Sequence, residues 1–221
     1  TWCREVPEEV DVGHILQTLA PKVQHTAYQN RSIYMALKAY LQQLQGTSKE
    51  ALGSLEEAEA VLQKEHPTDF SHQLLLIYGN YAWIYYHLVN YEMVELYLGR
   101  IHAICRSLSS PEPYCVRSPE IHAQKGWFLL ALGFRNAEEA KKCFQMALRE
   151  DESNHVFQAG LALSVFASWT HSWRADVWKE AKSSMEQVLC SQPQNYEVKA
   201  HLANLIWKHD WKRSKALTME V

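Results

Sequence analysis

One spacing recurs along this chain and constrains its fold more than any other feature. Ala51, Leu55 and Ala58 stand as small-x3-large-x2-small, and the spacing returns at Ala140, Phe144 and Ala147. It returns again at Ala181, Met185 and Val188, with Pro193 closing the unit. Small residues at this interval let two helices approach closely, while the large one fills the groove between them. A chain built this way stacks helix pairs, each burying its apolar face on the next. The hydrophobic period is helical throughout, and alternating strand patterns are absent. Eight glycines and seven prolines in 221 residues are too few for the turns of a sandwich or barrel. No proline lies between Glu120 and Gln192.

The spacing predicts helices over 8–20, 25–45, 48–64, 71–89, 91–108, 119–132, 136–149, 154–168, 175–190 and 195–209. Thr47 with Glu50 and Asn136 with Glu139 have the interval of capping boxes. Ser118 precedes Pro119 at a first helical position, and Asn195 precedes Tyr196-Glu197 as a further cap. Gly46 and Gly133 stand where helices should end. After the first helix the next eight fall into four pairs, with 195–209 following. The first pair adds Ala39 and Gly46 to its spacing. The second is weaker, with Ala82 and Tyr85 on one helix and Val94, Leu98 and Ile101 on the other. Equivalent positions Ala51, Val94, Ala140 and Ala181 lie 43, 46 and 41 residues apart. That exceeds the period of about 34 usual for tetratricopeptide repeats and overlaps the roughly 40–47 of HEAT repeats. The internal spacing favours tetratricopeptide units with insertions. The expected fold is therefore an all-α solenoid of about four such pairs with flanking helices. Residues 1–24 form an N-terminal helical segment, 25–209 the repeat superhelix and 210–221 the start of a further helix. The first helix of each pair lines the concave face, where solenoids bind their ligands.

A net charge of −3 argues against a generally basic nucleic-acid coat, although a local basic channel remains compatible with it. The five cysteines, Cys3, Cys105, Cys115, Cys143 and Cys190, are scattered without CxxC spacing, as in a reducing compartment. The longest apolar stretch, Leu74 to Val89, is interrupted by Gly79, Asn80 and His87, so no membrane span is expected. The chain opens on Thr1-Trp2 and reads as part of something longer. It holds no phosphate loop, nucleophile elbow or HExxH, so neither an enzyme nor a cofactor is expected. Cys105, Cys115 and His122 come nearest to a metal set, but scattered structural residues explain them better. Glu56-Glu57-Ala58-Glu59 reads as a solvated helix face rather than paired catalytic carboxylates.

The aromatic residues say more. Segment 78–88 reads Tyr-Gly-Asn-Tyr-Ala-Trp-Ile-Tyr-Tyr-His-Leu, and core packing between repeats accounts for most of these rings. Trp127 lies on a first helix and so is a candidate for the ligand-facing groove. The segment from Trp207 to Lys215 interleaves aromatic and basic residues. That pattern suits nucleic-acid bases and phosphates, but an amphipathic helix awaiting its next partner is the simpler explanation.

Several strings resemble one family. They are Thr1-Trp2, Leu37-Lys38-Ala39-Tyr40-Leu41 with Leu44 and Gly46, and Gly79-Asn80-Tyr81-Ala82-Trp83-Ile84-Tyr85-Tyr86-His87. Ile104-Cys105, Leu108-Ser109, Pro111, Ser118-Pro119-Glu120-Ile121, Lys125-Gly126-Trp127, Leu129-Leu130 and Ala140-Lys141-x-Cys143-Phe144 follow in order. In these the chain resembles the N-terminal half of the interferon-induced proteins with tetratricopeptide repeats, as a divergent member. The block 167–178 fits poorly and is richer in tryptophan.

The resemblance implies a cytoplasmic, interferon-induced antiviral effector, without enzymatic activity, that holds foreign single-stranded RNA and so restrains its translation. Dependence on the RNA 5′-end is left open. The resemblance also implies family members or a translation-initiation factor as partners, and a homodimer, in some members domain-swapped. The alternative is a protein–protein scaffold or adaptor without 5′-triphosphate recognition. By the same resemblance Trp127 matches a tryptophan that stacks on a cap guanine, and Leu163 its aliphatic neighbour. Thr18 and Lys22 match contacts to the first nucleotides and phosphates, and Tyr28 stands where cap binders carry a small residue. Three phosphate-binding positions of the family are Ala131, Ala137 and Ala167 here. A tri-anion cannot be held in a desolvated tunnel without opposing charge. Lys22, Lys125 and Arg135 are the candidates to compensate.

Overall fold

A computed structural model of the chain describes residues 11–25, 30–65, 71–108, 114, 116 and 118–221. Among these residues there are eleven α-helices and one short 3-10 turn, and no strand. The helices are α1 (Val12–Gln24), α2 (Arg31–Leu44), α3 (Ser48–Glu65), α4 (Ser71–His87), α5 (Tyr91–Ser107) and α6 (Pro119–Ala131). They continue with α7 (Ala137–Glu150), α8 (His155–Ser172), α9 (Ala175–Ser191), α10 (Tyr196–Ile206) and α11 (Trp211–Met219). The chain divides within α6 into two compact units, Thr1–Gln124 and Lys125–Val221.

Most helix ends obey their local chemistry. Asn195 Oδ1 accepts from Val198 N at 3.1 Å, and Ser118 Oγ accepts from Ile121 N ahead of Pro119. Gly46 and Gly133 take φ of +80° and +116°, which a side chain would strain. Two expected capping boxes are corrected. Asn136 makes no side-chain cap bond, because it sits in the 3-10 turn Phe134–Asn136, and Glu139 turns to Lys125 instead. The Thr47 carbonyl accepts from Ala51 N, but its hydroxyl donates to Gln42 O at 3.0 Å.

Some boundaries also move. Helix α1 starts at Val12, behind Asp11, whose side chain accepts from His14 N, and runs on through Pro21 to Gln24. Its buried stripe Ile15, Leu19 and Val23 carries it past the proline. Helix α8 extends to Ser172 and closes where Trp173 adopts φ of +53°. Helix α10 stops at Ile206 because His209 N and Asp210 N both return to its carbonyl, and Asp210 then caps α11.

In the first unit, α1 packs on α2, α2 on α3 and α4, α3 on α4, and α4 on α5. The contact between first helices is fixed by Asn80 Nδ2, which donates to the buried Ala36 carbonyl, and by Tyr40 against Trp83 at 4.8 Å. The small positions Ala39, Ala51 and Ala58 and the knob Leu55 are fully buried. In the second unit, α7 packs on α8, α8 on α9 and α10, α9 on α10, and α10 on α11. Ala140, Phe144 and Ala147 are fully buried, as are Ala181 and Met185. Helix α8 is apolar nearly all round and buried from Phe157 to Ser168 but for Gln158 and Leu161, as expected of a helix with neighbours on several sides. No described helix is long and apolar enough to cross a membrane.

Candidate functional site

The expected contact residues fall in both units. In the first, Thr18 and Lys22 are one turn apart on α1. Thr18 is exposed and its Oγ1 donates to Ile15 O at 2.8 Å. Lys22 is half-buried, with Nζ 5.0 Å from the centre of the Tyr34 ring. That ring is itself buried, so the Lys22 cation has a fixed base on α2. Tyr28 lies outside the described residues.

In the second unit the site is organised by Phe144. A Cβ on Gly126 would stand 2.7 Å from this ring, and one on Gly160 would stand 2.2 Å from it. Helices α6 and α8 therefore approach the Phe144 ring as only glycine backbones can. Trp127 directly follows Gly126, and its ring meets Phe144 edge-on at 5.1 Å and 75°. Trp127 is 3% exposed, and its Nε1 has no hydrogen-bond partner among the described residues. A buried donor left unpaired costs on the order of 1–3 kcal/mol. Leu163 follows Gly160 by one turn and is also buried.

The cations nearby are few. Lys125 Nζ pairs with Glu139 Oε1 at 2.8 Å and is half-exposed. Arg135 is exposed on the 3-10 turn beyond Gly133. Burial pushes the Cys143 thiol up, with the Lys125 charge opposing, so this cysteine stays a neutral thiol. Ala131 is half-buried, while Ala137 and Ala167 are buried at 1% and 4% exposure. At the last two positions the methyl groups pack into the interior.

The tyrosine-rich segment of α4 proves to be structural for the most part. Tyr81 stacks on Tyr97 of α5 at 4.4 Å and 9°, and Tyr85 stacks on the same ring at 5.9 Å. The Tyr78 hydroxyl donates to Glu59 Oε1 at 3.0 Å. The Arg100 guanidinium lies 5.0 Å from Tyr97 and 5.5 Å from Tyr78. Burial raises the Tyr78, Tyr81 and Tyr97 hydroxyls, with Tyr97 pushed up to about 12. Of the acidic run, Glu56 and Glu57 are solvated as expected, whereas Glu59 serves the tyrosine cluster.

Sequence reasoning missed the orphaned Trp127 Nε1 and the two glycines facing Phe144. The glycine signal was present: a glycine inside an apolar helix such as α8 costs about 1 kcal/mol against alanine and so marks a close approach. A cavity of about 710 Å³ between α7, α8 and α9 is lined by Gln145, Leu148, Arg149, Gln158, Ser184 and Gln187 among others. None of the expected contact residues lines it. Among the described residues no group of His, Cys, Asp or Glu could hold a metal ion, and Cys115 lies outside them.

No family model matches the chain. It is 42% identical over 130 residues to the antiviral innate immune response effector IFIT1 of Macaca fascicularis, covering 59% of this chain and 27% of that protein. It is 34% identical over 184 residues to human interferon-induced protein with tetratricopeptide repeats 2, covering 80% of this chain and 37% of that protein. A solved human IFIT1 dimer with m7Gppp-AAAA superposes with a TM-score of 0.80 at 28% identity, covering 100% of this chain and 48% of that one. The chain thus spans under half the length of the relatives it matches. The fold is all-α, built of tetratricopeptide-type helix pairs. The chain belongs to the family of interferon-induced proteins with tetratricopeptide repeats.

Proposed function

We propose that this chain is the RNA-binding part of an interferon-induced antiviral effector, acting in the cytoplasm without catalysis. It holds foreign single-stranded RNA and so restrains its translation. The observation that carries this reading is the likeness, across the whole chain, to IFIT1 bound to a capped oligonucleotide. The working parts are a segment to residue 24, the repeat region 25–209 and a further helix from 210. In the first unit Thr18, Lys22 and Tyr28 are the proposed contacts. In the second they are Lys125, Trp127, Arg135 and Leu163. Trp127 supplies a ring, and Leu163 an apolar neighbour. A homodimer, or a partnership with other family members or an initiation factor, belongs to the same proposal.

We further propose that a 5′-triphosphate adds little to binding. Ala131, Ala137 and Ala167 bring no charge, and Lys125 already shares its charge with Glu139. A tri-anion leaving water needs several charge-assisted bonds to offset desolvation. The test is one short RNA sequence bearing a 5′-hydroxyl, a 5′-triphosphate or an unmethylated cap. The wild type should bind the first two within about threefold of one another. Trp127→Ala should weaken the capped RNA most. Ala131→Lys, at a half-exposed position, should restore a triphosphate preference of several-fold. A strong triphosphate preference in the wild type, or indifference of every RNA to Trp127, would sink this assignment.

A further inference from the structure

Several side chains of the segment from Trp207 to Lys215 are used neither by the packing nor by the contacts proposed above. It carries four cations, Lys208, Lys212, Arg213 and Lys215, and the single acid Asp210, in a chain whose net charge is −3. The structure sorts these groups. Arg213 is bound to Glu186 of α9 at 2.5 Å and anchors the helix. Asp210 Oδ1 accepts from Arg213 N, so its charge is spent on the start of α11. Lys208, Lys212 and Lys215 are exposed and form no ion pair among the described residues.

Two tryptophans stand beside them. Trp207 is 54% exposed and Trp211 62% exposed, and Lys208 Nζ lies 5.4 Å from the Trp207 ring centre. Trp178 is the contrast: its Nε1 donates to Leu205 O at 3.2 Å, and its ring packs on His209 at 4.9 Å. The Ser214 hydroxyl donates to the Ala203 carbonyl in the interior at 2.8 Å, tying α11 to α10. A groove of about 390 Å³ runs beside Trp207, floored by Ala200, Ala203 and Ser214.

We propose that the α10–α11 corner is a further contact for single-stranded RNA, distinct from the Trp127 region. Bases stack on Trp207 and Trp211, and Lys208, Lys212 and Lys215 hold the flanking phosphates. Stacking platforms beside unpaired cations are how proteins hold single strands without reading sequence. A further packed helix, the simpler explanation from the sequence alone, fits these exposed groups less well, since lysine is depleted at the centre of protein interfaces. The proposal rests on the reading of the chain as RNA-binding.

The experiment uses a 12-nucleotide RNA with a 5′-hydroxyl and 5-iodouridine at alternate positions. Ultraviolet crosslinking with peptide mapping gives the location, and fluorescence anisotropy gives affinity against salt. Crosslinks should map to Trp207 or Trp211. Trp207→Ala with Trp211→Ala should weaken binding roughly tenfold. Lys212→Gln with Lys215→Gln should lower the salt slope by about 1.4. Wild-type binding that these variants leave intact, with crosslinks elsewhere, overturns this site and spares the function. Absence of wild-type binding to any RNA overturns both. Variants that alter self-association but not RNA affinity make the face a helix-docking surface and overturn the proposal.

Discussion

The Phe144 seam of the second unit and the α4–α5 pair of the first fill the same kind of helix-pair interface by opposite means. Around Phe144 the helices come close because Ala140, Ala147, Gly126 and Gly160 offer no bulk, and one ring fills the space. In α4–α5 the corresponding positions Val94, Leu98 and Ile101 are only half-buried. There the contact is made by Tyr78, Tyr81, Tyr85 and Tyr97, bracketed by Glu59 and Arg100. One seam depends on steric fit and tolerates no added atom. The other depends on stacked rings and charge, and it responds to pH.

Phe144→Ala should have the largest effect, destabilising the second unit by about 3–5 kcal/mol in urea unfolding. A loss under 1 kcal/mol would mean that the seam is not the centre of that unit. Gly160→Ala should cost about 1–3 kcal/mol, because its Cβ would meet the Phe144 ring at 2.2 Å. High pH should separate the units. The Tyr81 and Tyr97 hydroxyls titrate higher when folded than when unfolded, Tyr97 at about 12. Their stabilisation is therefore complete below pH of about 10 and is lost as pH rises towards 12. Tyr196 is the only tyrosine of the second unit, so helical signal from the first unit should fall earlier, with tyrosinate absorbance rising in step. Gly79→Ala should carry the opposite sign to Gly160→Ala. Nothing lies within 4 Å of its added Cβ, so the helix should gain about 0.5–1 kcal/mol. Arg100→Ala should cost a similar amount, about 0.5–1 kcal/mol from cation–π contact, and should leave Phe144 variants unaffected.

This contrast also explains what could be read from the sequence. Ala51, Leu55 and Ala58 and their later counterparts announce themselves, because close helix approach admits few residue types. The α4–α5 pair reads as weak by that rule, since rings and a distant Glu59–Tyr78 bond replace the small residues. Trp127 has the spacing of a groove residue, yet a glycine one position earlier brings Phe144 against it and buries it. Lys125 is visible as a cation, whereas its partnership with Glu139 depends on how α6 meets α7. At Ala137 and Ala167 the sequence shows that the charge is absent, and the structure adds that both positions are buried.

The most direct test of the account is the affinity of the protein for a 5′-hydroxyl single-stranded RNA between 50 and 200 mM salt. An RNA held through several phosphates should weaken by roughly an order of magnitude or more over that range, with a log–log slope of about −0.7 per phosphate contact. Binding that is absent at 50 mM, or present but indifferent to salt, would contradict an RNA-binding role.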